Sequence, residues 1–247
     1  MSRMRLSRID TIDPADETTW AESLFVTVDL DWCADEILAD TLDLLDRSRA
    51  PATLFVTHDT PVLDRIRNNP LWELGIHPNF NPLLSGDASG GADATEVIGR
   101  CLDLVPGARS VRSHALVQST YLLREFSRLG LRYDCNTYIG HGAGIELAPI
   151  SHFDGSLVRV PHLFEDDINL AQGPTWDHEA ITTAAGLVVL DFHPIHVFLN
   201  TETVERYEST RAHHRDVDAL RSHVNQRATG TRDLFRAILA MTTVREG

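Results

Sequence analysis

Two carboxylates follow a mostly apolar run near the start of the chain, and they carry its strongest chemical signal. The run Phe25–Val28 leads into Asp29 and Asp31, which are two positions apart. If a strand extends through both, the two side chains project to the same face, and if it ends at Asp29 they take separate roles. Either way, two like charges share one edge, which costs free energy unless a cation or a proton lies between them. The pair therefore indicates a metal site.

Further polar side chains follow the later β-type runs. They are His77 and Asn81, Arg112 and His114, Glu165–Asp167, and His193 and His196. The carboxyl ends of parallel strands converge on one rim of an α/β barrel, the face that carries the active site in such folds. A carboxylate, an imidazole and a further nitrogen or oxygen donor suit zinc, which lowers the pKa of bound water and polarises a carbonyl. With a spare carboxylate as base and a distal histidine as acid, these residues predict hydrolysis of an amide or ester.

The elements that must position these residues are seven β-type runs separated by helical or loop segments. The runs are Leu24–Val28, Thr53–Thr57, Leu74–His77, Ser110–Arg112, Leu131–Asp134, Leu157–Val160 and Leu187–Phe192. Helical periodicity covers Ile37–Leu45, Pro61–Arg67, Thr95–Leu104, Gln118–Leu129 and Arg232–Met241. Apolar strands that alternate with helices are typical of parallel βα units. The 247 residues predict a single α/β domain, with its core at about residues 24–200 and a C-terminal helical segment over residues 201–247.

Composition excludes several classes of function. The net charge of −14 argues against nucleic-acid backbones and anionic membranes as partners. All 22 basic residues are arginine, so neither a lysine Schiff base nor a Walker lysine is available. The chain has no visible secretory signal, no run near the ~18 apolar residues of a membrane span, and no close pair among its three cysteines. We therefore predict a cytoplasmic protein with reduced thiols and no membrane span.

These residues resemble the motifs of the polysaccharide deacetylases of the NodB-homology type. Thr27–Asp31 is similar to the family's Thr-Phe-Asp-X-Asp form, and His77–Asn81 to its His-X-X-X-His motif, with asparagine at the place of the second histidine. Arg112–His114 keeps the arginine of the third motif without its prolines, and Leu190–His193 is similar to the last motif. The resemblance covers about residues 24–197 and implies a distorted (β/α)7 barrel.

The resemblance also implies the roles of the site residues. The catalytic residues would be Asp29 as general base, Arg112 to orient it and His193 as acid. The ligands of a divalent metal, with zinc expected, would be Asp31, His77 and Asn81. His114 and Asp167 are expected to contact the substrate.

Several alternatives remain open at the level of sequence. His114 could complete the metal site in place of Asn81, and His196 could be the acid in place of His193. Asp167 could instead belong to a solvated acidic loop, and the pair His213–His214 is expected at the surface. Haloacid-dehalogenase phosphatases also use Asp-X-Asp, but this chain has Cys33 at the position of their usual threonine or valine and has no lysine.

The predicted function is removal of an acetyl group from an N-acetylated or O-acetylated sugar or polysaccharide precursor by a metal-dependent hydrolase. The segment Phe192–Asn200, together with Arg112–His114, resembles a sub-branch found in surface-polysaccharide biosynthesis. Two alternatives are a degenerate barrel that binds carbohydrate without metal, for which Asn81 is the best support, and a metal-dependent amidase that acts on a non-sugar amide.

Overall fold

The central strand of the fold is β2 (Ser23–Asp29), which is buried along its whole length. In the computed structural model, which describes residues 5–152 and 155–241, β2 pairs in parallel with β3 (Ala52–Val56) and with β10 (Val188–Phe192). The short strand β1 (Arg5–Ser7) pairs with the first half of β2. Partners on both edges and helices on the outer face explain why β2 is an apolar run rather than an alternating one.

The remaining strands extend this sheet on both sides. They are β4 (Trp72–Ile76), β5 (Ser110–Val111), β6 (Tyr133–Asp134), β7 (Ile150–His152), β8 (Leu157–Arg159) and β9 (Phe164–Glu165). The order is β7-β8-β6-β5-β4-β3-β2-β10-β9, and among the described residues only the β7–β8 pairing is antiparallel. The sheet curls into a half-barrel. The seven predicted runs correspond to β2, β3, β4, β5, β6, β8 and β10, and the predicted α/β distorted-barrel class is confirmed.

Helices connect the strands and cover the sheet. They are α1 (Asp35–Arg47), α2 (Leu63–Arg67), α3 (Asn81–Leu84), α4 (Ala94–Leu104), α5 (Thr120–Arg128), α6 (Asp166–Gln172), α7 (His178–Thr182), α8 (Pro194–Leu199), α9 (Val204–Thr210), α10 (Val217–Arg221) and α11 (Thr231–Met241). The five predicted helical segments correspond to α1, α2, α4, α5 and α11. In α1 the buried side chains recur at helical spacing, with Asp35 in the first turn and Arg47 in the last, where each charge complements the helix dipole.

The C-terminal helices pack on the barrel rather than apart from it. The Phe235 ring of α11 is fully buried, and its centroid lies 4.8 Å from that of Phe192 in β10. Arg232 of the same helix forms an ion pair with Asp40 of α1. These contacts join the predicted C-terminal segment to the core, and residues 242–247 lie outside the described part of the chain. None of the helices in residues 5–152 and 155–241 is long and apolar enough to cross a bilayer.

Candidate active site

The turn after β2 separates the two carboxylates. Asp29 is the last residue of the strand and is buried, whereas Asp31 lies in a left-handed turn with φ 41°, followed by Trp32 with φ 53°. The Leu30 N–H donates to the Phe55 carbonyl at 3.1 Å, and the Trp32 N–H donates to Thr57 Oγ1 at 3.1 Å. Two successive non-glycine residues with positive φ store strain, which is common where a fold aims functional groups. The structure therefore selects the alternative in which the strand ends at Asp29.

Three potential metal ligands meet at this turn. His77 follows β4 and His114 follows β5, and both rings face Asp31. His77 Nε2 and His114 Nδ1 each lie 3.1 Å from Asp31 Oδ1, and one ligand atom from each of the three residues lies within 4.8 Å of the others. A backbone bond of 3.0 Å from the His114 N–H to the Pro78 carbonyl holds the two histidine-bearing segments together. We call Asp31, His77 and His114 the three-ligand cluster.

The cluster fits a divalent metal on two grounds. Neither buried ring nitrogen of His77 makes a well-aligned hydrogen bond within the described residues, although Nε2 lies 3.1 Å from Asp31 Oδ1 and Nδ1 lies 3.4 Å from Asp29 Oδ2. Buried polar atoms without a hydrogen bond are costly and rare. The donors are two imidazoles and a carboxylate, a zinc-type set, and separations of 3.1 Å are close to the roughly 3.4 Å expected between tetrahedral ligands at 2.0–2.1 Å from zinc. Burial would raise the pKa of Asp31, but its contacts with His114 and His77 hold that pKa well below the ordinary range.

Asn81, the predicted third ligand, takes a different position. It is the first residue of α3 and is exposed, and its N–H donates to Asn79 Oδ1 at 3.0 Å in the turn that starts the helix. The helix begins here with a proline in its first turn. The geometry favours the alternative ligand, His114, over Asn81.

Asp29 is held by the arginine predicted to orient it. Arg112 is fully buried, and its Nη1 lies 2.9 Å from Asp29 Oδ1 and 2.9 Å from Thr27 Oγ1. The same nitrogen also contacts Asp191 of β10, so one positive charge is shared by two carboxylates. Burial raises the pKa of Asp191 well above its usual range, against the opposing effect of Arg112. Asp29 keeps its second oxygen, Oδ2, facing His77 Nδ1 at 3.4 Å.

His193 lies next to the three-ligand cluster and is fixed by Asp166. His193 Nδ1 lies 2.6 Å from Asp166 Oδ1, and the His193 N–H donates to Asp166 Oδ2 at 2.9 Å. Its other nitrogen, Nε2, lies 3.6 Å from Asp31 Oδ2. Burial would lower the pKa of His193, but Asp167, Asp166 and Asp31 together raise it well above the ordinary value. These carboxylates favour the protonated form of the ring, and Nε2 is directed toward the cluster.

His196 is engaged at both ring nitrogens. Its Nε2 contacts Asp167, and its Nδ1 lies 3.1 Å from Thr201 Oγ1. With both nitrogens paired inside the protein, His196 is a poorer proton donor to substrate than His193, whose Nε2 lies 3.6 Å from Asp31 Oδ2, beyond hydrogen-bond distance. The Asp167 carboxylate is half exposed, so the structure places this predicted contact residue at the cleft, against His196.

A cleft of about 310 Å³ opens beside these residues. Besides Asp31, His114 and His193 it is lined by Trp32 and by three residues of the C-terminal segment. These three are Tyr207, His214 and Arg215. His214, expected at the surface, is half-buried, with its ring centroid 4.9 Å from that of Tyr207. No periodicity links residues 207–215 to the rim, so only the folded chain reveals them as part of the cleft.

Asp166 and Asp191 have contacts that sequence analysis did not assign. Asp166 follows β9, a strand of two residues that the sequence analysis did not predict. Asp191 stands inside an otherwise apolar strand, beside Thr27 in the register of β10 with β2. A buried acid in an apolar run is a usable signal, because such a group needs a partner.

Comparison with known proteins identifies the family of the chain. A family model described as WbmS-like polysaccharide deacetylase matches residues 26–211, a range that contains every residue from Asp29 to His196. The chain belongs to this family. The resemblance found in the sequence is thereby confirmed.

Solved structures include a close relative. The chain is 44% identical to a Bordetella bronchiseptica protein, over 97% of its own length and 98% of the other chain, with a TM-score of 0.90. That protein is assigned as a polysaccharide deacetylase involved in O-antigen biosynthesis. A polysaccharide deacetylase of Mycobacterium smegmatis is 16% identical over 69% of this chain and 76% of its own, with a TM-score of 0.43. No protein of curated function matches the chain.

Proposed function

We propose that this member of the polysaccharide deacetylase family is a metal-dependent hydrolase that removes the acetyl group from an acetamido sugar. The observation that carries the proposal is the set of groups that meet at the rim. Next to the three-ligand cluster lie a carboxylate held by Arg112, Asp29, and an imidazole held by Asp166, His193. A ligand set flanked by a base and an acid is what amide hydrolysis needs.

Asp31, His77 and His114 would hold the metal. A divalent ion there, with zinc proposed from the donor types, would polarise the acetyl carbonyl and lower the pKa of the attacking water. The side chains that hold it are supplied by the ends of three strands, so the site is fixed by the sheet and not by a single loop.

Asp29 would act as the general base through Oδ2. Its other oxygen is occupied by Arg112, which fixes the plane of the carboxylate. The free oxygen faces the cluster, next to His77 at 3.4 Å, where it can take a proton from a water attacking the acetyl carbon. Asp191 shares the charge of Arg112 with Asp29.

His193 would donate the proton that the leaving amine requires. Asp166 accepts from Nδ1 and so directs the second proton, on Nε2, toward the cleft. Because an amine is a poor leaving group until it is protonated, the same ring position determines whether the carbon–nitrogen bond breaks.

The proposed substrate class rests on the assignment of the Bordetella relative and on the residues of the three-ligand cluster. The Bordetella protein is assigned to O-antigen biosynthesis, and we propose a precursor of a surface polysaccharide as the substrate here. The alternative of a degenerate carbohydrate-binding barrel rested on Asn81, and it loses this support because His114 supplies a histidine donor at the cluster.

The proposal is tested by metal content and by release of acetate. We expect the purified protein to contain about one zinc per chain by elemental analysis. It should release acetate from acetamido sugars, lose this activity with a chelator and regain it when zinc is added back. Full activity in a protein stripped of metal would contradict the metal-dependent mechanism.

Replacing the base separates binding of the metal from turnover. Asp29→Asn should keep the zinc content, because the cluster is intact, and should lower kcat by roughly 10²–10⁴-fold, the usual contribution of a general base. Loss of zinc in this variant would instead make Asp29 a ligand.

A further inference from the structure

Within residues 5–152 and 155–241, Arg215 is the only arginine that lines the active-site cleft. Among the described residues, no carboxylate lies within 4.0 Å of its guanidinium, although the chain has 36 acidic residues and 22 arginines. The two carboxylates of the same cleft do have partners, since Asp31 contacts His77 and His114, and Asp167 contacts His196. The positive charge of Arg215 is therefore open to a ligand.

A row of rings leads from the proposed acid to this arginine. The ring centroids of His193 and His196 are 6.0 Å apart, those of His196 and Tyr207 are 4.7 Å apart, and those of Tyr207 and His214 are 4.9 Å apart. Arg215 follows His214 directly in the chain. Burial, together with His196 and Arg211, lowers the pKa of His214 and so favours its neutral form. The positive charge among the cleft-lining residues at this end is therefore that of Arg215.

We propose that Arg215 binds an anionic group of the substrate, a carboxylate or a phosphate, at the end of the cleft away from the acetyl group that is removed. The inference rests on the proposed function, because it takes the occupant of the cleft to be an acetamido sugar. Aromatic walls with a few fixed polar groups are typical of small-molecule sites, and a guanidinium matches two oxygens of a carboxylate or phosphate at once. The sugar would lie along the row of rings, with its anion at Arg215.

The test compares three probes by calorimetry. They are N-acetylglucosamine, which is neutral, N-acetylmuramic acid, which carries a carboxylate, and N-acetylglucosamine 1-phosphate. We expect at least one anionic probe to bind about tenfold or more tightly than the neutral one, with a preference that weakens as salt is added. The probe with the larger preference shows whether Arg215 binds a carboxylate or a phosphate.

Two substitutions then assign the preference to one residue. Arg215→Gln should abolish the preference for the anionic probe over the neutral sugar, and Arg215→Glu should invert it. The matched control is Arg221→Gln, which removes the same charge from a residue that pairs with Asp218 and lies outside the cleft lining. Equal binding of all three probes, or a preference that survives in Arg215→Gln, would overturn the inference.

The binding test does not depend on turnover, so the two proposals can fail separately. If an anionic probe binds through Arg215 but no acetate is ever released, the proposed hydrolysis is wrong and the anion site stands. If acetate is released equally well from neutral and anionic sugars by wild-type and Arg215→Gln proteins, the hydrolysis stands and the anion site is wrong.

Discussion

Asp29 and Asp31 lie two residues apart and yet have different partners. Arg112 holds the first through a buried ion pair, while imidazoles surround the second. A buried carboxylate fixed by a guanidinium suits proton transfer, and a carboxylate facing two imidazoles suits a metal. The turn with positive φ at Asp31 and Trp32 is what sends the two side chains to different neighbours.

At this scale the third ligand can be tested directly. His114→Ala should lower zinc affinity by at least about tenfold, because it removes one of three donors, whereas Asn81→Ala should leave affinity unchanged, since Asn81 is exposed. Titration against a competing chelator measures both variants. If Asn81→Ala is the one that weakens zinc binding, the original assignment from the sequence is right and the geometric one is wrong.

The choice between the two histidines after β10 is also a residue-scale question. His193→Gln should lower kcat by roughly 10²–10⁴-fold, with a smaller change in KM, because the proposed proton transfer occurs in the transition state. His196→Gln should retain most of kcat, since both ring nitrogens of His196 are paired within the protein. Steady-state kinetics of both variants decide the matter, and a larger loss of kcat in His196→Gln would reverse the assignment.

At the scale of elements, the strands of the sheet carry polar groups at both of their ends. The carboxyl ends carry the candidate site. At the other end, Glu73, near the start of β4, is buried and accepts hydrogen bonds from Thr53 of β3 at 2.7 Å and from the Asp10 N–H at 3.0 Å, while Ser110 of β5 contacts its second oxygen. Glu73 therefore links three neighbouring strands to the N-terminal segment.

This buried carboxyl makes folding depend on pH. Burial, helped by the charge of Asp10, raises the pKa of Glu73 to about 7, against an ordinary value of 4.5. Between pH 4.5 and 7 the folded state holds a proton that the unfolded state has lost, so the free energy of unfolding falls as the pH rises through this window. The loss is on the order of 3 kcal/mol and is complete above pH 7.

Glu73→Gln should remove that dependence. The amide cannot ionise, and it can still accept from Thr53 and donate to Ser110, so we expect the variant to gain stability relative to wild type at pH 8 and little at pH 4.5. Urea unfolding at both pH values measures the difference. The control is Glu22→Gln, which removes an exposed carboxylate. Parallel stability curves for wild type and Glu73→Gln would show that the buried group does not titrate in this range.

At the scale of the whole molecule, the C-terminal segment is both part of the core and part of the cleft. Phe235 packs on Phe192, which immediately precedes His193, while Tyr207, His214 and Arg215 line the cleft. The segment after β10 therefore completes the site built by the strands. We expect it to unfold together with the barrel.

Phe235→Ala tests this cooperativity. Removing a fully buried ring should destabilise the protein by about 3–5 kcal/mol and lower Tm by roughly 10 °C, in a single transition. Arg236→Ala, at the exposed neighbouring position, should stay within about 0.5 kcal/mol of wild type. A separate low-temperature transition in Phe235→Ala would mean that residues 201–241 form a unit of their own.

Elements with long or regular patterns were predictable from the sequence. The apolar runs of β2, β3 and β10 and the helical spacing of α1, α4 and α11 are set by local periodicity and burial, and they lie where predicted. Strands β1, β7 and β9, of two or three residues each, were not predicted, although β5, β6 and β8 of similar length were. Contacts of Asp166 with His193, and of Asp191 with Arg112, join residues 27 and 79 positions apart, a separation that no local pattern spans.

The sequence by itself determined the family, the class of fold and which strand ends carry reactive side chains. These follow from residue types at fixed spacing along short segments, as at Asp29 and Asp31 or at His193. Only the tertiary structure decided which groups touch. It brought His114 to Asp31, left Asn81 exposed at the start of α3, and placed Arg215 in the cleft. The reason is that a side chain's partner depends on the direction in which each turn leaves its strand and on distant segments that pack against it.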